Sequence, residues 1–244
     1  MLVRQAANAL EILEYFARRQ RPASAAEIAI DLQWPRSSTF NIVQTLVAKG
    51  YLYEPRARGS YYPTPRWGVM AEAVGQAEPL PTPFLALAHA LLEATGETTV
   101  IAAAAGTEAV HIHVEESRHS VRYFAKAGDR VPIHASSAGR ALLAQMTPGE
   151  RDKLYTRVDF ARFSGTTPLS AAAIEAELAA AQGRGWHQSN AEYTPDLAGV
   201  ALPLPGPRRL SIVVVGPVSR CLDQRAATAA IMQRHIAALP AIDD

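Results

Sequence analysis

Apolar residues recur at helical spacing through the first fifty residues. Between residues 6 and 18, Ala9, Leu10, Ile12, Leu13, Phe16 and Ala17 form a stripe at i, i+3, i+4, i+7 with charges elsewhere, which predicts a short amphipathic helix. Ser24 followed three residues later by Glu27 has the pattern of a capping box and opens a second helix expected to end at Leu32. Pro35, favoured at a first helical position, starts a third helix that runs to Lys49 and stops at Gly50. Tyr51-Leu52-Tyr53 and Ser60-Tyr61-Tyr62 then read as strands around a turn at residues 55–59. Three helices followed by a hairpin is the winged-helix order.

Residues 66–77 are predicted to form a connecting helix, which Pro79, Pro81 and Pro83 bring to a stop. This divides the chain into a winged helix-turn-helix (1–65), a linker helix with a Pro-rich connection (66–83) and a larger domain (84–244). In the last segment, residues 84–95, 135–145, 171–182 and 222–238 read as helices. Residues 97–105 and 109–115 read as strands around Gly106-Thr107, residues 118–127 as a third strand, and 186–192, 199–204 and 210–215 as three more. Runs of strands with inserted helices predict an α+β domain with an antiparallel sheet.

Composition narrows the class. With 48% hydrophobic and 19% charged residues the chain is an ordinary globular one, and 244 residues suffice for two cores. No apolar run approaches the roughly 18 residues needed to span a bilayer, and the N-terminus lacks a signal-peptide pattern, so a cytoplasmic location without membrane contact is expected. The single Cys221 rules out an internal disulfide and any Cys-based zinc site. The net charge of +1 is unevenly distributed: residues 1–68 hold nine Lys/Arg and five acids, a balance of +4, which leaves −3 for the remainder. A basic small domain joined to a mildly acidic larger one suits phosphate contact by the first.

On the third helix, Thr39, Val43, Leu46 and Val47 fall on one side, while Ser37, Ser38, Asn41, Gln44, Thr45 and Ala48 fall around the other, with Arg36 at the N-terminal end. Short hydrogen-bonding side chains of this kind fit a DNA major groove, where Asn and Gln pair with adenine edges. Arg56 and Arg58, at the tip of the hairpin, would meet phosphates or a minor groove. In the larger domain, alternation along a strand puts His111, His113 and Glu115 on one face, and His119 follows. These are candidate metal ligands, or outward or dimer-facing side chains while Val110, Ile112 and Val114 fill the core. A hydrolytic set can be drawn from Asp129, His134 and Ser136 or Ser137. However, no Gly-x-Ser-x-Gly elbow, phosphate loop or His-Glu-x-x-His is present, so neither an enzyme nor a cofactor is expected. The segment from His134 to Gly139 leads into a helix whose N-terminal amides, at Ser137 and Ala138, would suit an anion or be capped by a serine.

Three stretches carry a family resemblance. The first runs from Ala25-Ala26-Glu27-Ile28-Ala29 through Trp34-Pro35-Arg36-Ser37-Ser38-Thr39 to Leu46-Val47-Ala48-Lys49-Gly50-Tyr51-Leu52. The second holds Gly128-Asp129-Arg130-Val131-Pro132-Ile133-His134 and Ser136-Ser137-Ala138-Gly139-Arg140. The third holds Gly185-Trp186, Glu192, Val200-Ala201-Leu202-Pro203-Leu204 and Val215-Gly216-Pro217-Val218-Ser219-Arg220. In this order they resemble the isocitrate-lyase-regulator (IclR) family of bacterial transcription factors, although Asn41 stands where the family often has Arg. The resemblance implies a GAF-like α/β effector-binding domain, a homodimer or tetramer on an approximately palindromic double-stranded operator, and repression or activation of a catabolic operon by a small acid. It places the effector pocket at Val131, Ser137, Ala138, Ser189, Gly199, Val213 and Val215. Members that bind very small polar acids carry Asp, Cys and Ser where this chain has Ser189, Gly199, Val213 and Val215. A roomier, more apolar pocket for an aromatic or apolar-bodied acid is therefore expected.

Overall fold

The computed structural model describes residues 3–55, 59–77 and 80–240. The chain divides into two compact units, Met1–Pro79 and Leu80–Asp244.

In the first unit, α1 (Arg4–Arg19) is followed by β1 (Ala23–Ser24), α2 (Ala25–Asp31), α3 (Arg36–Ala48), β2 (Leu52–Tyr53), β3 (Ser60–Pro63) and α4 (Arg66–Ala77). The three short strands pair antiparallel in the order β1-β3-β2. Ile12, Phe16, Ile28, Val43, Leu46, Leu52 and Tyr61 form the core, so α1, α2 and α3 are held together with the hairpin behind them. The α1 stripe is narrower than its pattern suggests. Leu10 is 59% exposed and Ala17 is exposed, because both lie off the line through Ile12 and Phe16, and Tyr15 takes the buried place with its hydroxyl on Asp31 Oδ2 at 2.8 Å. The Ser24–Glu27 capping box forms: the Glu27 N–H donates to Ser24 Oγ at 3.2 Å and the Ser24 N–H to Glu27 Oε2 at 2.8 Å. Pro35 is the N-cap of α3, and Gly50 takes φ +74°, the left-handed conformation that ends a helix cheaply only at glycine.

In the second unit, α5 (Thr82–Thr95) leads into β4 (Thr98–Ala105), β5 (Glu108–Glu115), β6 (Arg130–Pro132), α6 (Ser137–Leu143), α7 (Pro148–Tyr155), α8 (Ala171–Arg184), β7 (His187–Asn190), β8 (Leu197–Pro203), β9 (Leu210–Pro217), α9 (Val218–Cys221) and α10 (Arg225–Ala237). Six strands form one antiparallel sheet in the order β6-β5-β4-β9-β8-β7. One face packs Ile101, Val200, Ile212 and Val214 against Phe84, Leu87 and Leu91 of α5 and Met232 of α10. The other packs Val100, Ala102, Ala109, Val131, Ala201 and Val213 under Ala138, Ala141 and Leu142 of α6. Beyond α6, Ile133 and Leu143 meet Leu154 and Tyr155 of α7 and Ile174 and Leu178 of α8.

Four sequence expectations change here. The strand expected at 118–127 is not regular structure; only Arg130–Pro132 pairs with β5. Side chains replace the ladder in that stretch, the Thr98 hydroxyl donating to the Tyr123 carbonyl at 2.7 Å and the Ser117 hydroxyl to the Gly96 carbonyl at 2.6 Å. The helix α7 was not foreseen, although Thr147-Pro148-Gly149-Glu150 closes a capping box with proline at its start. The helix expected at 222–238 begins only at Arg225, after a turn at Leu222–Gln224, and a separate short helix, α9, precedes that turn. Finally, β5 carries a β-bulge. His111 pairs with Ala102 and His113 with the adjacent Ile101, which leaves Ile112 as the extra residue, 41% exposed.

Candidate functional site

The first candidate surface is α3. Thr39 and Val43 are fully buried and Leu46 nearly so, which leaves Arg36, Ser37, Ser38, Asn41 and Thr45 exposed on the opposite side. Two of the sequence candidates are partly committed elsewhere. The Gln44 amide donates to the Tyr61 hydroxyl at 3.0 Å, tying α3 to β3, and the Thr45 hydroxyl donates to the Asn41 carbonyl at 2.7 Å. Phe40 was missed by the search for polar groups. It is 50% exposed beside Asn41, on the same open face. Arg56 and Arg58 lie outside the described residues.

The second is a cavity between α6 and the sheet face beneath it. Of the positions named from the sequence, Val131, Ser137, Ala138, Ser189, Val213 and Val215 line it. Gly199 does not. A Cβ there would stand 2.9 Å from Ser137 Oγ and 3.2 Å from Ser189 Oγ, so the missing side chain is what lets these hydroxyls, 3.4 Å apart, settle onto the sheet. At the start of α6 the Ser136 hydroxyl accepts the Gly139 N–H at 3.1 Å and donates to the Pro132 carbonyl at 2.9 Å. That serine cap is used on Gly139, and Ser137 and Ala138, the first two residues of the helix, line the cavity.

The remaining wall includes Val100, Leu197, His111, Tyr123, Glu192 and Tyr193, which the sequence reading did not place there. Tyr123 comes from the stretch expected as a strand at 118–127, and Tyr193 from the segment after β7. His111 was misassigned because of the bulge. It faces the cavity, whereas His113 and Glu115 lie beyond the parity reversal, His113 Nε2 2.9 Å and His89 Nδ1 of α5 3.3 Å from the Glu115 carboxylate. The three were expected on one face and are divided between two. Val114 instead packs toward the cavity-side core, whereas Ile112 is exposed. Among the described residues, no group of three or more His, Cys, Asp or Glu is arranged to hold a metal.

Burial sets the charges in and near the cavity. It pulls the His111 imidazole below its ordinary range, with Asp129 opposing, and pushes the Tyr123 hydroxyl up to about 12, with Asp129 and Tyr193 acting in the same direction. It also raises the Glu192 carboxyl, against the pull of Arg140. Arg140 is fully buried. Its guanidinium donates to Glu192 Oε2 at 2.6 Å, to the His134 carbonyl at 3.3 Å and to the Gln188 carbonyl, which joins α6, β7 and the segment after it.

The imagined hydrolytic set is dispersed. The His134 ring packs beside Phe160 and Phe163 with Nε2 3.4 Å from the Ala161 carbonyl, the Ser136 hydroxyl is held as described, and Asp129 Oδ2 accepts the Lys126 N–H at 2.8 Å. Burial lowers the His134 imidazole too, but among the described residues no nucleophile is in hydrogen-bond reach of it.

A winged helix with an open polar face, combined with a domain that encloses a small-molecule cavity, defines a DNA-binding regulator with an effector-binding domain. Residues 5–56 match the IclR helix-turn-helix domain and residues 82–241 match the C-terminal domain of bacterial transcriptional regulators of the IclR type. The chain belongs to the IclR family of bacterial transcriptional regulators. It is similar to the HTH-type transcriptional repressor AllR of Salmonella typhimurium (30% identical over 230 residues, 90% of this chain and 83% of the relative). It is also similar to the transcriptional repressor IclR of Escherichia coli (27% over 234 residues, 91% and 83%). Among solved structures it matches the Thermotoga maritima IclR (TM-score 0.75, 18% identity, 96% of each chain). It also matches an IclR homologue from Microbacterium hydrocarbonoxydans, complexed with 4-hydroxybenzoate (TM-score 0.70, 21% identity, 95% and 97%). These relatives are regulators, not enzymes. No described helix is long and apolar enough to cross a membrane.

Proposed function

We propose that this regulator represses a catabolic operon and releases its operator when an acid with an aromatic or otherwise apolar body occupies the cavity. One observation carries the reading: Val100, Val131, Val213 and Val215 share one cavity lining with Ser137 and Ala138, whose amides are the first two of α6. A carboxylate accepts hydrogen bonds from such amides, and the apolar part rests on the valines. The similarity to named repressors and to a fold crystallised with an aromatic acid supports it. Replacing Val215 by Asp puts a second negative charge against the ligand where water is excluded. Affinity for benzoate or a hydroxybenzoate is expected to fall at least about tenfold, roughly 1.4 kcal/mol, with operator binding kept. Isothermal titration of both proteins measures this, and unchanged affinity in the folded variant refutes the placement.

On DNA, α3 enters the major groove, with Asn41 reading a base edge, Arg36, Ser37, Ser38 and Thr45 around it, and Gln44 positioning the helix through Tyr61. Arg56 and Arg58 hold phosphates, and two or more copies bind an approximately palindromic site, because one short helix covers too few base pairs for specificity. Asn41→Ala is expected to cost about 1–3 kcal/mol on the operator and little on unrelated DNA. Arg56→Ala or Arg58→Ala should weaken all sequences and lower the salt slope by about one. Gel shifts across a salt series decide, and wild-type behaviour of both sets of variants on every sequence excludes this interface.

A further inference from the structure

His111 lines the cavity from β5 and is 4% exposed, and its Nδ1 has no hydrogen-bond partner among the described residues. Buried polar atoms of folded proteins are nearly always paired, and an orphan in a cavity wall marks a place where a bound molecule completes the bond. Tyr123 stands edge-on to the same ring, with centroids 6.2 Å apart, and its side chain also lines the cavity. We propose that His111, together with Tyr123, forms a second polar subsite that takes a neutral hydroxyl of the effector, so that the regulator selects a hydroxylated acid over the bare acid. This rests on the reading of the cavity as an acid site.

The chemistry of the subsite favours a hydroxyl over a charged group. Burial keeps both side chains uncharged near neutral pH, so the imidazole offers one N–H and one lone pair, and the phenol an O–H. A hydroxyl both donates and accepts and so matches either imidazole tautomer. A second carboxylate is disfavoured by Asp129, whose charge is felt by both groups. The sheet sets the separation of the two polar ends. His111 lies on β5, while Ser137 rests over Gly199 of β8, three strands away in the order β5-β4-β9-β8. At about 4.8 Å per strand the backbones are roughly 14 Å apart. A ring-sized body with polar groups at both ends suits that span better than an acid of two or three carbons.

The test uses the full chain titrated calorimetrically with benzoate, 3-hydroxybenzoate and 4-hydroxybenzoate. Wild type is expected to bind one of the hydroxybenzoates at least about tenfold tighter than benzoate, because a site built around a hydroxyl rejects the analogue lacking it. His111→Leu should abolish that preference and leave benzoate affinity nearly unchanged. His111→Asn, whose amide nitrogen falls near the place of Nδ1, should restore most of it. If His111→Leu does not fold, Asn against Gln decides, since Gln carries its amide past that place and should lose the preference. Equal binding of all three acids to wild type, or full preference in His111→Leu or His111→Gln, overturns the subsite and leaves the acid site standing. Saturation by none of the three overturns both.

Discussion

Replacing Arg140 by methionine is expected to destabilise the second unit by about 3–5 kcal/mol, the range for removing one partner of a buried ion pair. The guanidinium is inaccessible to water and satisfies Glu192 and the carbonyls of His134 and Gln188. Its loss takes the buried cation away from the Glu192 carboxylate, which keeps only the Asn190 backbone bond, and removes a donor from two carbonyls. Glu192, already raised by burial, would then protonate more readily. A second substitution separates charge from packing. In Arg140→Met/Glu192→Met no charge is stranded, so much of the loss should be regained, because apolar replacement of a whole buried pair is often neutral. Urea denaturation of the single and double variants measures both, and an unshifted midpoint for Arg140→Met would show that the pair contributes nothing.

Gly139→Ala is expected to be of similar severity, about 3 kcal/mol or more, for a steric reason. A Cβ at this helical position would stand 2.0 Å from the Ile133 carbonyl oxygen and 2.6 Å from two further backbone atoms of Ile133. Backbone on both sides cannot give way as a side chain can, so α6 must move off the segment after β6 and carry the cavity's amides with it. Gly199→Ala is the control. Its Cβ would meet mainly the hydroxyls of Ser137 and Ser189, which can rotate, and a smaller loss is expected. Thermal melts of the two variants should differ clearly, and equal stability would mean that backbone crowding at Gly139 is relieved elsewhere.

What could be read from the chain was what depends on near neighbours. Ser24 and Glu27 announce a cap three residues apart, Gly50 ends a helix by its own torsion, and Thr39, Val43 and Leu46 mark the buried side of α3 through helical spacing. Val131, Val213 and Val215 were reached through family resemblance, and strand alternation agrees with their common face. Reading failed where long-range bonds override the local pattern. The stretch around Tyr123 has strand-like residues, but Thr98 and Ser117 hold it as a loop over the cavity. Alternation along β5 keeps Val114 and Glu115 on their expected faces but misplaces His111, because no residue type announces the bulge at Ile112 that reverses its sense. Arg140 and Glu192 are 52 residues apart, and nothing in either neighbourhood indicates that they meet.

The bulge at Ile112 also makes this regulator convertible into an optical reporter. Its side chain is open to solvent, and its backbone neighbour His111 borders the cavity. The lone native thiol, Cys221, is half-buried and held protonated, pushed up to about 12 by burial and by Glu97. It is therefore a poor nucleophile toward maleimides and iodoacetamides. A cysteine placed at 112 would take up a polarity-sensitive dye selectively, one residue from the cavity wall. Its emission would then follow ligand occupancy directly, without operator DNA.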